Sequence, residues 1–201
     1  EQTEAAAVEY PQLTEGTEGE EDDGNLDGFG RPQRRIRRFP QVLQIDQMDC
    51  GAASLAIICH YYGRKVSISR VRDAVTTAID GTSLLGIARG AESFGLAVRT
   101  AKVSKSRLDS MPLPAIVHWE NNHWMVLYDV DAEHVRVSDP ARGRRRLTRS
   151  EFESKWSGFA AFFATTEAFE QAPEESSRIG WLLEFFKPYR RVLILALVLA
   201  L

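Results

Sequence analysis

Apolar positions recur along the middle of this chain in two rhythms. Residues 52–62 are small and apolar almost without a break, with polar Asp46-Gln47-Met48-Asp49 before them and Gly63 after. That pattern predicts a helix of about three turns, N-capped by Asp49 and stopped by Gly63, with Cys50 at its N-terminus. A second helix is predicted over 69–78, with Ser69 as cap and Val71, Ala74 and Val75 inward. After a turn at Asp80-Gly81-Thr82, a third is predicted over 83–94. Leu84, Ile87, Ala88 and Ala91 keep helical spacing there, and Gly95 ends it. The rhythm then becomes alternation. Residues 97–103, 114–119, 123–130, 134–138 and 158–165 read as strands, with a short turn or helix at 106–110 and a short helix at 149–156. Helices first and strands later predict an α+β fold, an antiparallel sheet packed on a helical layer.

Charge and hydropathy set the ends apart from this 39–170 domain. Residues 1–30 hold ten acidic residues and no Lys or Arg, and residues 31–38 hold five arginines. Such a tract buries too little apolar surface to order itself, so 1–38 reads as a disordered acidic/basic linker. The arginines suit anionic lipid or an acidic partner, although a solvated charged linker is the preferred reading. At the other end, 171–191 reads as a linker and interfacial amphipathic segment, in which Trp181, Tyr189, Arg190 and Arg191 resemble membrane anchors. Residues 192–201, VLILALVLAL, are uninterruptedly apolar but shorter than the roughly 20 residues a span requires. The expectation is that the sequence stops inside the first transmembrane helix of a longer, membrane-attached protein.

Composition removes several alternatives. A net charge of −3 gives no reason to expect a nucleic-acid partner. Cys50 and Cys59 lie nine positions apart on one predicted helix and face different sides, so no disulfide is expected, as in a reducing compartment. No Cys/His pair has zinc spacing, and no signal peptide is visible.

The chemistry concentrates in three places. Unpaired N–H groups and the positive dipole end at a helix N-terminus favour a thiolate, which makes Cys50 a candidate nucleophile. A lone cysteine is more often a buried small hydrophobe, so the reading depends on what accompanies it. His123 opens an apolar strand after Asn121-Asn122, and Asp139 ends the next strand, sixteen residues on. If the strands are antiparallel neighbours, the carboxylate reaches the imidazole. Cys, His, Asp in that chain order is the papain-type arrangement. Separately, each has a plainer reading: a strand-edge histidine satisfied by backbone, and an Asx turn before Pro140. His60, His118 and His134 are rival bases, ranked below His123. A side-chain donor for the developing oxyanion is also needed, and Gln44 suits that role by chemistry; so do Gln41 and Gln47, and spacing alone does not choose.

These residues sit in a longer pattern: Gln44…Asp49-Cys50-Gly51, Gly81-Thr82-Ser83, Phe94-Gly95-Leu96, Asn122-His123-Trp124, Asp139-Pro140 and Phe152…Trp156-Ser157-Gly158. In that order the chain resembles the C39 peptidase domains at the N-termini of bacteriocin-type ABC exporters. The resemblance implies a papain-like fold and leader cleavage after Gly-Gly or Gly-Ala in a precursor peptide. It implies Cys50 as nucleophile, His123 as base and acid, Asp139 as orienter and Gln44 as oxyanion donor. It further implies a homodimeric transporter in the bacterial inner membrane with this domain on the cytoplasmic side. The peptidase domain itself needs no cofactor or metal; ATP and Mg belong to a nucleotide-binding domain elsewhere, since no G-x-x-x-x-G-K-[ST] occurs in this sequence. Ser54 departs from the family pattern, where a second cysteine is common, and Asn121-Asn122 replaces a glycine pair. The alternative within the same fold is a docking domain that binds cargo without cutting it.

Overall fold

A computed structural model describes residues 29, 39–75, 81–120, 122–172 and 189. The expected linker at 1–38 (Phe29 apart), the end of the second helix at 76–78, and the C-terminal segments from 173 onward (Tyr189 apart) lie outside them. Among the described residues no helix is long and apolar enough to cross a membrane.

Three helices precede the strands: α1 (Cys50–Tyr61), α2 (Ile68–Val75) and α3 (Leu84–Ser93). The strands are β1 (Leu96–Lys102), β2 (Ala115–Trp119), β3 (His123–Val130), β4 (His134–Asp139), β5 (Gly143–Thr148) and β6 (Trp156–Thr165), with α4 (Arg149–Lys155) before β6 and α5 (Glu167–Gln171) after it. They form one sheet in the order β1-β6-β2-β3-β4-β5, every neighbouring pair antiparallel. The predicted α+β architecture is the one observed.

α1 is buried from Cys50 through Cys59. Small side chains at Ala52, Ala53, Ser54 and Ala56 let it lie close between α2, α3 and the sheet. Trp124, Val126 and Tyr128 face this helical layer, while Met125 and Leu127 face a second core under α4 and the 3-10 turn Lys105–Ser110. At Gly51 a Cβ would fall 2.6 Å from that of Thr82, so the loop after α2 touches α1 beside Cys50 only because residue 51 is glycine. Gly63, at φ +99°, takes the left-handed conformation that ends α1.

Three local expectations are corrected. α2 begins at Ile68, so Ser69 lies inside its first turn rather than capping it. β5 is not among the expected strands: three of its six residues are arginine, and Leu147 is its one buried side chain. Asp49 stands at the N-cap position of α1 but makes no capping bond, because its side chain is committed elsewhere.

Candidate active site

The site forms where the N-terminus of α1 meets the start of β3 and the end of β4. Residues 47–49 make a 3-10 turn leading into α1. Asp46 and Asp49 form a reciprocal capping box across it: the Met48 N–H donates to Asp46, and the Asp46 N–H donates to Asp49 Oδ2 at 3.0 Å. Asp49 is buried and also accepts from Arg72 of α2, Nε to Oδ1 at 2.8 Å and Nη2 to Oδ2. Cys50 follows as the first residue of α1, itself buried. One turn on, the buried Ser54 hydroxyl donates to the Trp124 carbonyl at 3.1 Å, tying α1 to the residue after His123.

His123 and Asp139 are brought together. β3 and β4 pair with Val126 opposite Ser138, which sets the opening of one strand beside the end of the other. His123 Nε2 lies 2.9 Å from Asp139 Oδ1. With Nε2 committed to the carboxylate, Nδ1 is the ring nitrogen left for the sulfur, and Cys50 is among the groups that favour the charged form of His123. Burial works against a charged imidazole, but the bonds to Asp139 and Cys50 and their charges outweigh it and hold His123 up at about 9. Asp139 shows the converse. Burial opposes its charge, yet the His123 bond, the Ala141 N–H at 2.8 Å and Arg145 Nη1 at 3.3 Å hold it down at about 2.

The rival histidines are occupied elsewhere. His60 accepts from the Val66 N–H at 3.1 Å, His118 bonds Ser157 at 3.2 Å and packs at a tilt against Trp124, and His134 bonds Arg146. The glutamines also separate. Gln41 spends its amide on the fold, its Nε2 donating to the Asp139 carbonyl at 3.1 Å and its Oε1 accepting from Ser138 at 2.7 Å. Gln47 is exposed. Gln44 is held by its backbone, its N–H donating to the Pro140 carbonyl at 2.9 Å, and its buried Oε1 has no hydrogen-bond partner among the described residues. Sequence reasoning missed Arg72, Ser138 and Arg145, and it weighed Gln41 only as an oxyanion donor. Arg72, Gln41 and Ser138 act across long sequence separations, and Arg145 lies on the unforeseen β5, where inward Arg145 and Leu147 alternate with exposed neighbours.

A cysteine at the N-terminus of a buried helix, facing a histidine and an aspartate carried by an antiparallel sheet, is the framework of the papain-like cysteine peptidases. Residues 38–168 match the model of the peptidase C39 family, and the chain belongs to that family. It is 35% identical over 127 residues to the lactococcin-G-processing and transport ATP-binding protein of Lactococcus lactis, a match covering 60% of this chain and 18% of that protein. It is 32% identical over 142 residues to the transport/processing ATP-binding protein ComA of Streptococcus pneumoniae, covering 67% of this chain and 20% of the relative. This sequence therefore spans about a fifth of the length of such relatives. Among solved structures it resembles a double glycine motif protease from a peptidase-containing transporter, determined with its leader peptide (TM-score 0.62, 29% identity, 64% of this chain and 93% of that one). It also resembles the peptidase domain of Streptococcus ComA (TM-score 0.61, 31% identity, 64% and 100%).

Proposed function

We propose that this chain is the peptidase domain of an ATP-driven peptide exporter, and that it removes the leader of a precursor peptide by cleaving after a Gly-Gly or Gly-Ala pair. The observation that carries the reading is the imidazole of His123, bonded to Asp139 at 2.9 Å and raised toward its charged form by that carboxylate and by Cys50. The Cys50 thiolate attacks the carbonyl of the second small residue, forming the carbon–sulfur bond, and His123 gives its proton to the departing amine. Water, deprotonated by the now neutral His123, then hydrolyses the thioester and releases the leader with a free carboxylate. Asp139 keeps the ring's Nδ1 toward the sulfur and stabilises its charge. The Cys50 N–H and the Gln44 amide hold the oxyanion, a role in which losing one donor typically costs ~3 kcal/mol of barrier.

Membership of the C39 family and the processing and transport functions named for its relatives support the substrate class and the coupling to export. The same reading places the domain on the cytoplasmic side of a bacterial inner membrane, joined to it through the segment after residue 171, in a homodimeric transporter. ATP and Mg would be held by a nucleotide-binding domain beyond this sequence. A domain that only docked cargo would have no use for an imidazolium held between a buried carboxylate and a thiol. A synthetic precursor whose leader ends in Gly-Gly should be cut after the second glycine by the folded chain and left whole by Cys50→Ala, as read by mass spectrometry. Equal cleavage by Cys50→Ala, or none by the parent chain, would refute the assignment.

A further inference from the structure

Asp49 sits one residue before the proposed nucleophile and is 1% exposed. A buried carboxylate interacts strongly with neighbouring charge, because little water screens it. Beside a sulfur that must become a thiolate, such a charge is unfavourable. Yet the loop depends on it. Asp49 accepts the Asp46 N–H at 3.0 Å and so closes the turn between Gln44 and Cys50. The other end of the same loop is fixed by the Gln44 N–H on the Pro140 carbonyl at 2.9 Å, next to Asp139. The spacing of oxyanion donor, nucleophile and orienting acid is thus held at two points, and Asp49 is one of them.

The guanidinium of Arg72 answers the electrostatic difficulty. It reaches Asp49 from α2 as a two-pronged donor, through Nε at 2.8 Å and through Nη2, a geometry that lysine cannot reproduce. Its side chain remains 43% exposed, so the pair brings a solvated cation onto a buried acid.

We propose that Arg72 and Asp49 together are a positioning unit for Cys50: Asp49 locks the loop bearing Gln44 and Cys50, and Arg72 cancels the charge that this lock places beside the thiolate. The inference rests on Cys50 being the nucleophile.

The test is the rate of Cys50 alkylation by iodoacetamide at neutral pH in the 201-residue chain, followed by peptide mass spectrometry and corrected for folded fraction by circular dichroism. Arg72→Gln should slow labelling by about tenfold or more, since it leaves the acid uncompensated. Arg72→Lys should fall between. The double variant Asp49→Asn with Arg72→Gln removes both charges while the new amide oxygen still accepts the Asp46 N–H, and it should label within about threefold of the parent chain. A merely structural clamp predicts the opposite order, with the double variant no faster than the single. Labelling of Arg72→Gln at the parent rate, or a folded double variant as slow as the single, overturns the proposal. Should Arg72→Gln fail to fold, the rate of the double variant decides alone. A parent chain whose Cys50 is not the fast-labelling thiol would instead overturn the peptidase reading beneath it.

Discussion

Ser54 and Trp124 are seventy residues apart in the chain, and the serine hydroxyl donates to the tryptophan carbonyl at 3.1 Å in the buried core. Ser54 lies one helical turn after Cys50, and Trp124 follows His123, so this bond joins the two elements whose side chains exchange a proton in the proposed mechanism. Both groups are out of water, and leaving a buried carbonyl unsatisfied costs about 1–3 kcal/mol. Ser54→Ala should therefore lower stability by that amount and reduce kcat for leader cleavage with little change in KM. Ser54→Cys, which keeps a weaker donor, should fall between. Urea unfolding and steady-state kinetics check both, and a Ser54→Ala variant of unchanged kcat would limit the bond to fold stability.

Asp139→Asn should move the alkaline limb of activity. With the carboxylate in place His123 is held near 9, above the ordinary histidine value of 6.5. The cationic ring, proposed above as the acid that protonates the leaving amine, thus persists to about that pH. Replacing the acid removes the negative partner and leaves Arg145 facing the ring's neighbour, and both changes disfavour the imidazolium. The descending limb of kcat/KM should shift toward 6.5, and kcat at neutral pH should fall at least about tenfold. An unshifted limb would count against Asp139 as orienter.

Stability should report the same contact. A raised histidine contributes stability that is fully present below its unfolded value of 6.5 and disappears as pH rises through about 9. Asp139, held at about 2, contributes stability present above 3.8 and lost as pH falls through 2. Because the two describe one interaction, their contributions are not added; about 2–3 kcal/mol is the size expected. Among the described groups with a resolved shift, His123 is the one whose effect falls between 6.5 and 9. Burial lowers His118, so its effect falls below 6.5, and burial pushes Cys59 up to about 12, so its effect falls above 9. Denaturant midpoints across that interval should decline in the parent chain and flatten in His123→Ala. An equal decline in both would place the titration elsewhere.

Much of this architecture is legible in residue order, and the losses are instructive. α3 carries helical periodicity, while α1 and β3 are apolar runs with clear polar boundaries, and their positions follow from those patterns. Cys50, His123 and Asp139 stand out because each marks the boundary of an element, where a polar group meets apolar sequence. β5 escapes because an edge strand with one solvent-facing side tolerates arginines, and only Leu147 is apolar and inward. Asp49 looks like an ordinary helix cap because its partner Arg72 lies 23 residues away on another helix. The choice among Gln41, Gln44 and Gln47 is invisible to spacing. It emerges only when the chain before α1 folds along the end of β4 and engages Gln41 with Ser138 and Asp139.

The most direct measurement is the site of covalent capture by a peptide ending in Gly-Gly and carrying a thiol-reactive group in place of the scissile bond. Mass spectrometry should find one adduct, on Cys50, with parallel loss of leader cleavage; it should form much more slowly in His123→Ala and not at all in Cys50→Ala. Capture at Cys59, or a Cys50 adduct forming as fast without the imidazole as with it, would contradict a nucleophile activated by His123.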